Sequence, residues 1–470
     1  MRGPIRSLTG QGVWYATANL LAKAGGLLLL PLYTNSRYLA VSDYGRWGVL
    51  EVTAQMGIVL LGLQLSAGLL RFAAEETARR IVARTAWTLS IGIALLLLGG
   101  AAGLVELTGD PVWALLCLFV AFEILLGLIL GALRFEGRAR LYTGLLALKL
   151  ITLVGLSYLT LAIFRMGLTG VVASYTASSA LSLLVAWALT CGRWPWGWPA
   201  LDRTWTGRLL RFSLPLVAGA LGSLALNAAD RYVLVALRPE FEVGLYVLAA
   251  RFGGVVNMLG AQPLQLAWIP LLYRLPREER PRITQTVYSG SVLLLGALVL
   301  VTSVFSPWVL TLMGSDAAYR AALPLVPWIG LGFAAFGLSL IWSAVLLEAL
   351  RSRIVSLALA ASAALNVGLN FLLVPLWGPM GAAVSTLVAY AGLLIWTYRA
   401  ARPLVRIRLL GGRLLGTGIW TGLLAWAGTE WQFSSLIADA LFRLLLVLLW
   451  TLGAWLLGWM RPLGSRESGT

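Results

Sequence analysis

The sequence predicts an all-α polytopic membrane protein of about fourteen transmembrane helices, arranged as two parallel-related six-helix lobes plus two C-terminal helices. Three observations predict it. Apolar residues make up 59% of the chain and charged ones 12%, about half the ~25% charge of soluble proteins, and the mean hydropathy is +0.85. Apolar runs near the ~20 residues that cross a ~30 Å hydrocarbon core recur along the whole length. The two halves also share short motifs in the same order, a signature of repeat-built transporters.

Taken in order, the amino terminus MRGPIRSLTGQG lacks a short apolar core followed by a small-residue cleavage site, so the first span is expected to be retained. Spans are centred near Ala24, Ile58, Ala94, Val120, Val154, Ser179, Gly219, Val256, Gly296, Gly332, Leu365, Val388, Gly418 and Leu448. Apart from the central linker, their connections are no longer than about the Ser36 to Trp47 stretch, which leaves no room for a large soluble domain. The expected divisions are an N-lobe at 1–192, an inter-lobe linker at 193–208, a C-lobe at 209–402, and the last two spans with a tail at 403–470. Trp194, Trp196, Trp198 and Trp205 lie among Pro, Gly and Arg around that linker. They are expected at the headgroup level as a lipid anchor.

Cytoplasmic loops collect basic residues. When alternate connections are assigned to opposite sides, 26 of the 36 Lys and Arg fall on the side that holds both termini. Only Arg37, Arg46, Arg165, Arg238 and Arg320 fall on the other, with Lys23, Lys149, Arg231, Arg251 and Arg443 inside spans. Both termini are therefore expected in the cytoplasm, and the net charge of +17 reflects membrane orientation rather than nucleic-acid binding. Cys117 and Cys191 both sit in apolar runs and there is no histidine, which removes a disulfide framework, a zinc site and the commonest general base. No metal and no cofactor is expected.

The repeat rests on two pairs of motifs. Gly167, Gly170 and Ser174 have the spacing of Gly378, Gly381 and Ser385 at an offset of 211, and Asp43 and Gly45 match Glu242 and Gly244 at an offset of 199. Six spans separate the members of each pair. The copies therefore face the same way, related by an axis along the membrane normal.

Ionisable groups inside a span are costly and mark function by default. Gln11, Tyr15, Asn19 and Lys23 follow one another in steps of four and share one face of the first helix, while Glu51 and Gln55 repeat the spacing in the second. In the other lobe Ser223, Asn227, Asp230 and Arg231 lie at near-helical spacing, as do Arg251, Met258, Gln262 and Gln265. Both lysines of the chain fall within spans, which suits a compact, titratable ammonium. Lys23 and Arg251 are the candidates for substrate contact, whereas Asp230 and Arg231, adjacent opposite charges near the outer end of their span, are expected to snorkel or pair locally. Glu123 and Lys149 differ in depth by only about 3 Å and are expected to pair, structurally or, together with Asp230, as a switch. Asp439 and Arg443 are expected as a local helix pair near the outer interface.

These residues also carry a resemblance. Arg37-Tyr38-Leu39, Asp43-Tyr44-Gly45, Gly62-Leu63 and Leu70-Arg71-Phe72 resemble the opening of Wzx-type polysaccharide-lipid flippases of the MOP superfamily. Asp230-Arg231-Tyr232, Val243-Gly244-Leu245-Tyr246, Asn366, Asn370, Pro375, Gly378 and Gly381-Ala382 are similar to that family's second lobe. The resemblance implies a MATE-like fold of two rocking bundles around a cationic central cavity, in which Lys23, Arg231 and Arg251 would meet an anionic substrate and Gln11, Tyr15, Asn19, Gln55, Asn227 and Gln262 would offer hydrogen bonds to sugars. It implies a flippase, not an enzyme, moving undecaprenyl-pyrophosphate-linked oligosaccharide from the cytoplasmic to the outer leaflet of the cell membrane. The implied partners are that substrate, membrane lipids, a polysaccharide polymerase and other assembly proteins. Coupling to a Na+ or H+ gradient stays open. The rival readings are a cation-coupled multidrug exporter, expected to line its cavity with carboxylates, and a membrane-embedded polymerase or ligase, which needs an outer catalytic loop.

Overall fold

A computed structural model describes residues 14, 17–18, 21, 25–73, 75, 77–196, 200–405 and 411–458, without the side chains of 223, 225–227, 274 and 411. Among them there are helices and connections and no strand. Among the described residues, ten helices are long and apolar enough to cross a membrane, eleven if one bent pair counts as a span, where fourteen are expected of the whole chain. The chain divides into two compact units, Met1–Ala228 and Ala229–Thr470.

In unit 1, α1 (Val41–Leu61) starts after an extended Ala40, with Asp43 in its first turn, where a negative charge suits the helix dipole. Leu63 and Gln64 then adopt φ of 49° and 51° and turn the chain by 41° into α2 (Leu65–Phe72). The second span is thus broken, and Gly68 on α2 is needed: a Cβ there would stand 2.7 Å from Ser213 Oγ and 2.9 Å from Leu209. Helix α3 (Arg79–Thr108) ends on Gly109 at φ 68°, and Asp110, just ahead of α4 (Val112–Phe135), accepts from Val112 N at 2.9 Å. Helix α5 (Ala139–Ser157) widens into a π-helical turn at Tyr158–Ile163 before α6 (Gly167–Thr190). Helix α7 (Arg203–Leu237) contains the division between units.

The linker tryptophans correct an expectation. Trp194 and Trp196 are buried inside unit 1 rather than set among headgroups, stacked at 5.4 Å with 9° between their planes. The reason is partners. Trp87 and Phe135 pack against them, and the indole nitrogens donate to Thr190 Oγ1 at 3.0 Å and Glu136 Oε1 at 2.8 Å. Trp205 is half-buried, edge-on to Phe72, and Trp198 lies outside the described residues.

Unit 2 continues with α8 (Glu240–Val256), a second π-helical turn at Asn257–Ala261, α9 (Gln262–Arg274), α10 (Arg280–Leu312), α11 (Leu325–Glu348), α12 (Ser352–Trp377), α13 (Pro379–Ala401), α14 (Gly411–Glu430) and α15 (Leu436–Leu456). Helix α11 is central, with 67% of its apolar window buried. Lipid tails are as apolar as leucine, so helices associate through close packing at small residues. Gly253 meets Ile329 and Gly330 of α11, and Gly337 of α11 meets Ala261 and Leu295. The C-terminal pair joins this core through α10, where Gly428 lies against Val304.

The repeated motifs fold alike. Gly167 and Gly378 both take positive φ, 55° and 56°, at the entrances to α6 and α13. Four residues past Gly170 and Gly381, the hydroxyls of Ser174 and Ser385 each donate back to the glycine carbonyl at 2.7 Å. In each unit the acid of the other motif lies at the turn: a Cβ on Gly167 would be 3.8 Å from Asp43 Oδ2, and one on Gly378 2.7 Å from Glu242 Oε2. Two short sequence matches thus become one structural device, built twice.

Candidate functional site

Of the candidate residues, Gln11, Tyr15, Asn19 and Lys23 lie outside the described residues, as does the side chain of Asn227. Gln55 is exposed on α1, while Arg231 on α7, Arg251 on α8 and Gln262 at the start of α9 are half-buried. Arg251 stands eleven residues into α8, about 16 Å along its axis at 1.5 Å per residue. Just beyond it, the π-helical turn breaks the regular ladder, a feature frequent at functional sites.

In unit 1, Lys149 of α5 and Glu123 of α4 form the expected pair, Nζ to Oε1 at 2.5 Å. Ser179 of α6 donates to the same oxygen at 2.5 Å, and the ammonium stands 5.9 Å from the Phe119 ring centre. Three helices therefore share one neutralised carboxylate. Breaking such a pair leaves a charge in a low dielectric, whereas the intact pair is compatible with burial.

Unit 2 buries a carboxylate differently. Asp230, expected near the outer end of its span where it can snorkel, is only 7% exposed. It accepts from the Tyr246 hydroxyl and from Arg231 N at 2.8 Å, with the Arg231 charge beside it. Tyr246 is hydrogen-bonded to Thr386, whose Oγ1 accepts from Asn366 Nδ2 at 3.3 Å, and Asn370 Nδ2 donates to Asn366 Oδ1 at 3.1 Å. Asn370 Oδ1 is buried with no hydrogen-bond partner. The chain runs through α7, α8, α12 and α13 and presents carboxylate, hydroxyl and amide oxygens, donors that suit a hard cation or a proton relay. Among the described residues no group of three or more His, Cys, Asp or Glu is placed to hold a metal.

Asp439 and Arg443 form the expected local helix pair, at 2.8 Å, and its contacts reach beyond α15. Both are buried, and Arg443 also donates to the Val304 carbonyl of α10 and to the Gly428 carbonyl of α14, while the Trp308 indole donates to Asp439. The pair ties α15 to two neighbours. At the connection from α7 to α8, Arg238 donates to Glu242 at 2.7 and 3.0 Å, and these bonds, with the carboxylate charge, hold its guanidinium above its ordinary pKa.

A family model described as polysaccharide biosynthesis protein matches residues 8–276, more than half of the chain. This protein belongs to the polysaccharide biosynthesis protein family. Among solved structures, the lipid II flippase MurJ in an inward closed conformation superposes with a TM-score of 0.73 at 11% identity, covering 94% of this chain and 97% of that one. An inward-facing multidrug resistance MATE transporter of the MOP superfamily gives 0.63 at 16% identity over 83% and 95%. A Vibrio cholerae MATE transporter, VcmN D35N, gives 0.53 at 15% over 85% and 97%. At these identities the likeness shows the fold, which is shared with MurJ and the MATE transporters. No curated protein matches.

Within this polysaccharide biosynthesis fold, the sequence does not mark Tyr246 and Ser179 as partners of the intramembrane acids, nor Thr386 as the partner of Tyr246. Tyr246 and Thr386 are ordinary in isolation. Asn366 and Asn370 do carry a signal, two amides four residues apart inside an apolar span.

Proposed function

We propose that the protein flips an undecaprenyl-pyrophosphate-linked oligosaccharide, a polysaccharide repeat unit, from the cytoplasmic to the outer leaflet by alternating access. The observation that carries this reading is the polysaccharide biosynthesis family match over residues 8–276. The charges agree with it. A pyrophosphate bearing about two negative charges is refused by hydrocarbon, and a cation held in a low dielectric attracts it far more strongly than one in water. Arg251, deep in its span, and Arg231 supply such cations, with Lys23 the corresponding group of the first helix and Gln262 a hydrogen-bond donor to sugar. In this reading the coupling ion, Na+ or H+, meets Asp230 and its chain of oxygens.

The likeness to MATE transporters keeps cation-coupled drug export as the second reading. The sign of the intramembrane charge separates the two, since a cationic drug calls for carboxylates where this chain has Arg251. A polymerase or ligase fits less well. The connections expected on the outer face are short among the described residues, as at Leu237–Glu240 and Trp377–Pro379, and give a catalytic loop little room.

The test is a proteoliposome assay following a fluorescent lipid-pyrophosphate oligosaccharide between leaflets, with Na+ and pH gradients imposed separately. Wild type should transport, and Lys23→Ala and Arg251→Ala should each lose most of the rate. Unchanged rates in both variants remove the cation assignment; no lipid transport together with export of cationic dyes decides for the drug exporter.

A further inference from the structure

We propose that unit 2 carries a saccharide-binding pocket between the end of α10 and the connection from α14 to α15, which receives the sugar chain of the flipped substrate on the side where it is delivered. The pocket has a volume of ≈ 600 Å³, within the about 300–1,000 Å³ of small-molecule sites. It lies on the side expected to face outward: α10 starts at Arg280 in a basic cluster of the other side, and Trp308 stands twenty-eight residues on, about 42 Å along the helix at 1.5 Å per residue.

The lining has the two chemistries that a pyranose needs. One face of such a ring is a sheet of C–H groups that packs on aromatic carbon, and its edge is a row of hydroxyls that both donate and accept. Phe305, Trp308 and Phe433 supply the aromatic surface, with Phe305 edge-on to Trp308 at 5.7 Å. Thr311, Gln432 and Arg320 add the polar groups, and all three are exposed. Thr and Gln each donate and accept, and Arg presents a fork of donors. An acyl chain has no use for these groups. A phosphate calls for more than one cation, and of the two arginines here Arg443 is already committed to Asp439, which leaves Arg320.

The walls are preorganised by the buried ion pair beneath them. Taking two charges out of water is costly, and such a pair adds little net stability over a well-packed apolar one, so its value lies in what it positions. Here its bonds land on the pocket. Asp439 accepts from the Trp308 indole and from Phe433 N at 3.2 Å, besides its bonds from Arg443 at 2.8 and 3.3 Å. Arg443 stands 5.2 Å from the Trp308 ring centre and donates to the Val304 carbonyl of α10 and the Gly428 carbonyl of α14. Phe433, 50% exposed, is further fixed edge-on to Phe442 at 5.2 Å. The connection that carries Gln432 and Phe433 is thus pinned to the floor, which lowers the ordering cost of binding.

The identity of the sugar rests on the flippase reading, so the test reads free oligosaccharides, without lipid and without transport. The full-length protein, purified in lauryldimethylamine oxide, a detergent with no sugar headgroup, is fluorescently tagged and applied to an array of neutral and acidic oligosaccharides prepared from bacterial polysaccharides. Wild type should be retained by a subset of them. Phe433→Ala should weaken that binding about tenfold, and Gln432→Ala and Arg320→Gln about fivefold each. Trp377→Ala, an exposed residue at the same expected side but outside the pocket, should leave it unchanged. Should Phe433→Ala fail to fold, the Gln432 and Arg320 variants decide alone. No retention of wild type, no loss in the pocket variants, or an equal loss in Trp377→Ala overturns the proposal. Binding of phosphatidylglycerol that is lost in Arg320→Gln, with no oligosaccharide retained, overturns the saccharide in favour of a lipid headgroup. Absence of lipid-linked transport in proteoliposomes, with oligosaccharide binding intact, removes the flippase reading and keeps the pocket.

Discussion

Gly167 enters α6 and Gly378 enters α13 at nearly the same φ, 55° and 56°, yet the two turns are loaded differently. At Gly378 the carboxylate of Glu242 lies 2.7 Å from where a Cβ would stand and is held by two hydrogen bonds from Arg238. At the aligned positions of unit 1 stand Asp43, one carbon shorter and farther off, and the buried Leu39 in place of the arginine. The next glycine differs too. A Cβ on Gly170 would crowd the Cβ atoms of Met166 and Thr160, at 2.9 and 3.1 Å, whereas one on Gly381 would fall on the Leu373 carbonyl, which is backbone and has nowhere to go. The buried acids follow the same trend: Glu123 is neutralised by a lysine, and Asp230 is built into a longer hydrogen-bonded chain. The two units share the frame of the turn, and unit 2 has the tighter fittings.

The comparison can be broken most directly at the second glycine. Gly381→Ala should cost about 3 kcal/mol and Gly170→Ala about 1–2 kcal/mol, read as loss of monodisperse protein and a lower melting temperature in detergent. Equal costs would mean that the turns are equally tight. The buried acids come next. Lys149→Met strands Glu123 and should cost about 2–3 kcal/mol, whereas Tyr246→Phe removes one neutral donor and should cost about 1 kcal/mol. Adding Glu123→Gln to Lys149→Met should restore most of the loss; failure to do so would show that the lysine acts through packing on Phe119 rather than through charge.

The spans and the Glu123–Lys149 pair were legible because both are written locally, as apolar runs and as depth along neighbouring helices. What was hidden depends on contacts distant in sequence. The break follows Gly62, but its positive φ falls on Leu63 and Gln64, residues that do not announce a left-handed turn. Trp194 and Trp196 have the composition of a lipid anchor, and only the presence of Trp87 and Phe135 beside them turns them inward. Asp439 and Arg443 read as a local i, i+4 pair, and their burial needs the Val304 and Gly428 carbonyls of two other helices. Asp230 looked surface-bound because its neighbour Arg231 offers a simpler partner than Tyr246 sixteen residues on.

The smaller predictions dissect the turn itself. Gly378 has φ 56° and ψ −135°, a region open almost only to glycine, so Gly378→Ala should cost about 2 kcal/mol and Gly167→Ala about 1 kcal/mol. The excess has two sources, backbone strain and the collision of the new methyl with the Glu242 carboxylate, and a double-mutant cycle separates them. In a Glu242→Ala background the collision is gone and the strain remains. The Gly378→Ala penalty should then fall by about 1 kcal/mol, toward the value at Gly167. Strict additivity of the two changes would instead place the whole difference between the units in the backbone, and the Arg238–Glu242 clamp would be a passenger on a turn that is already set.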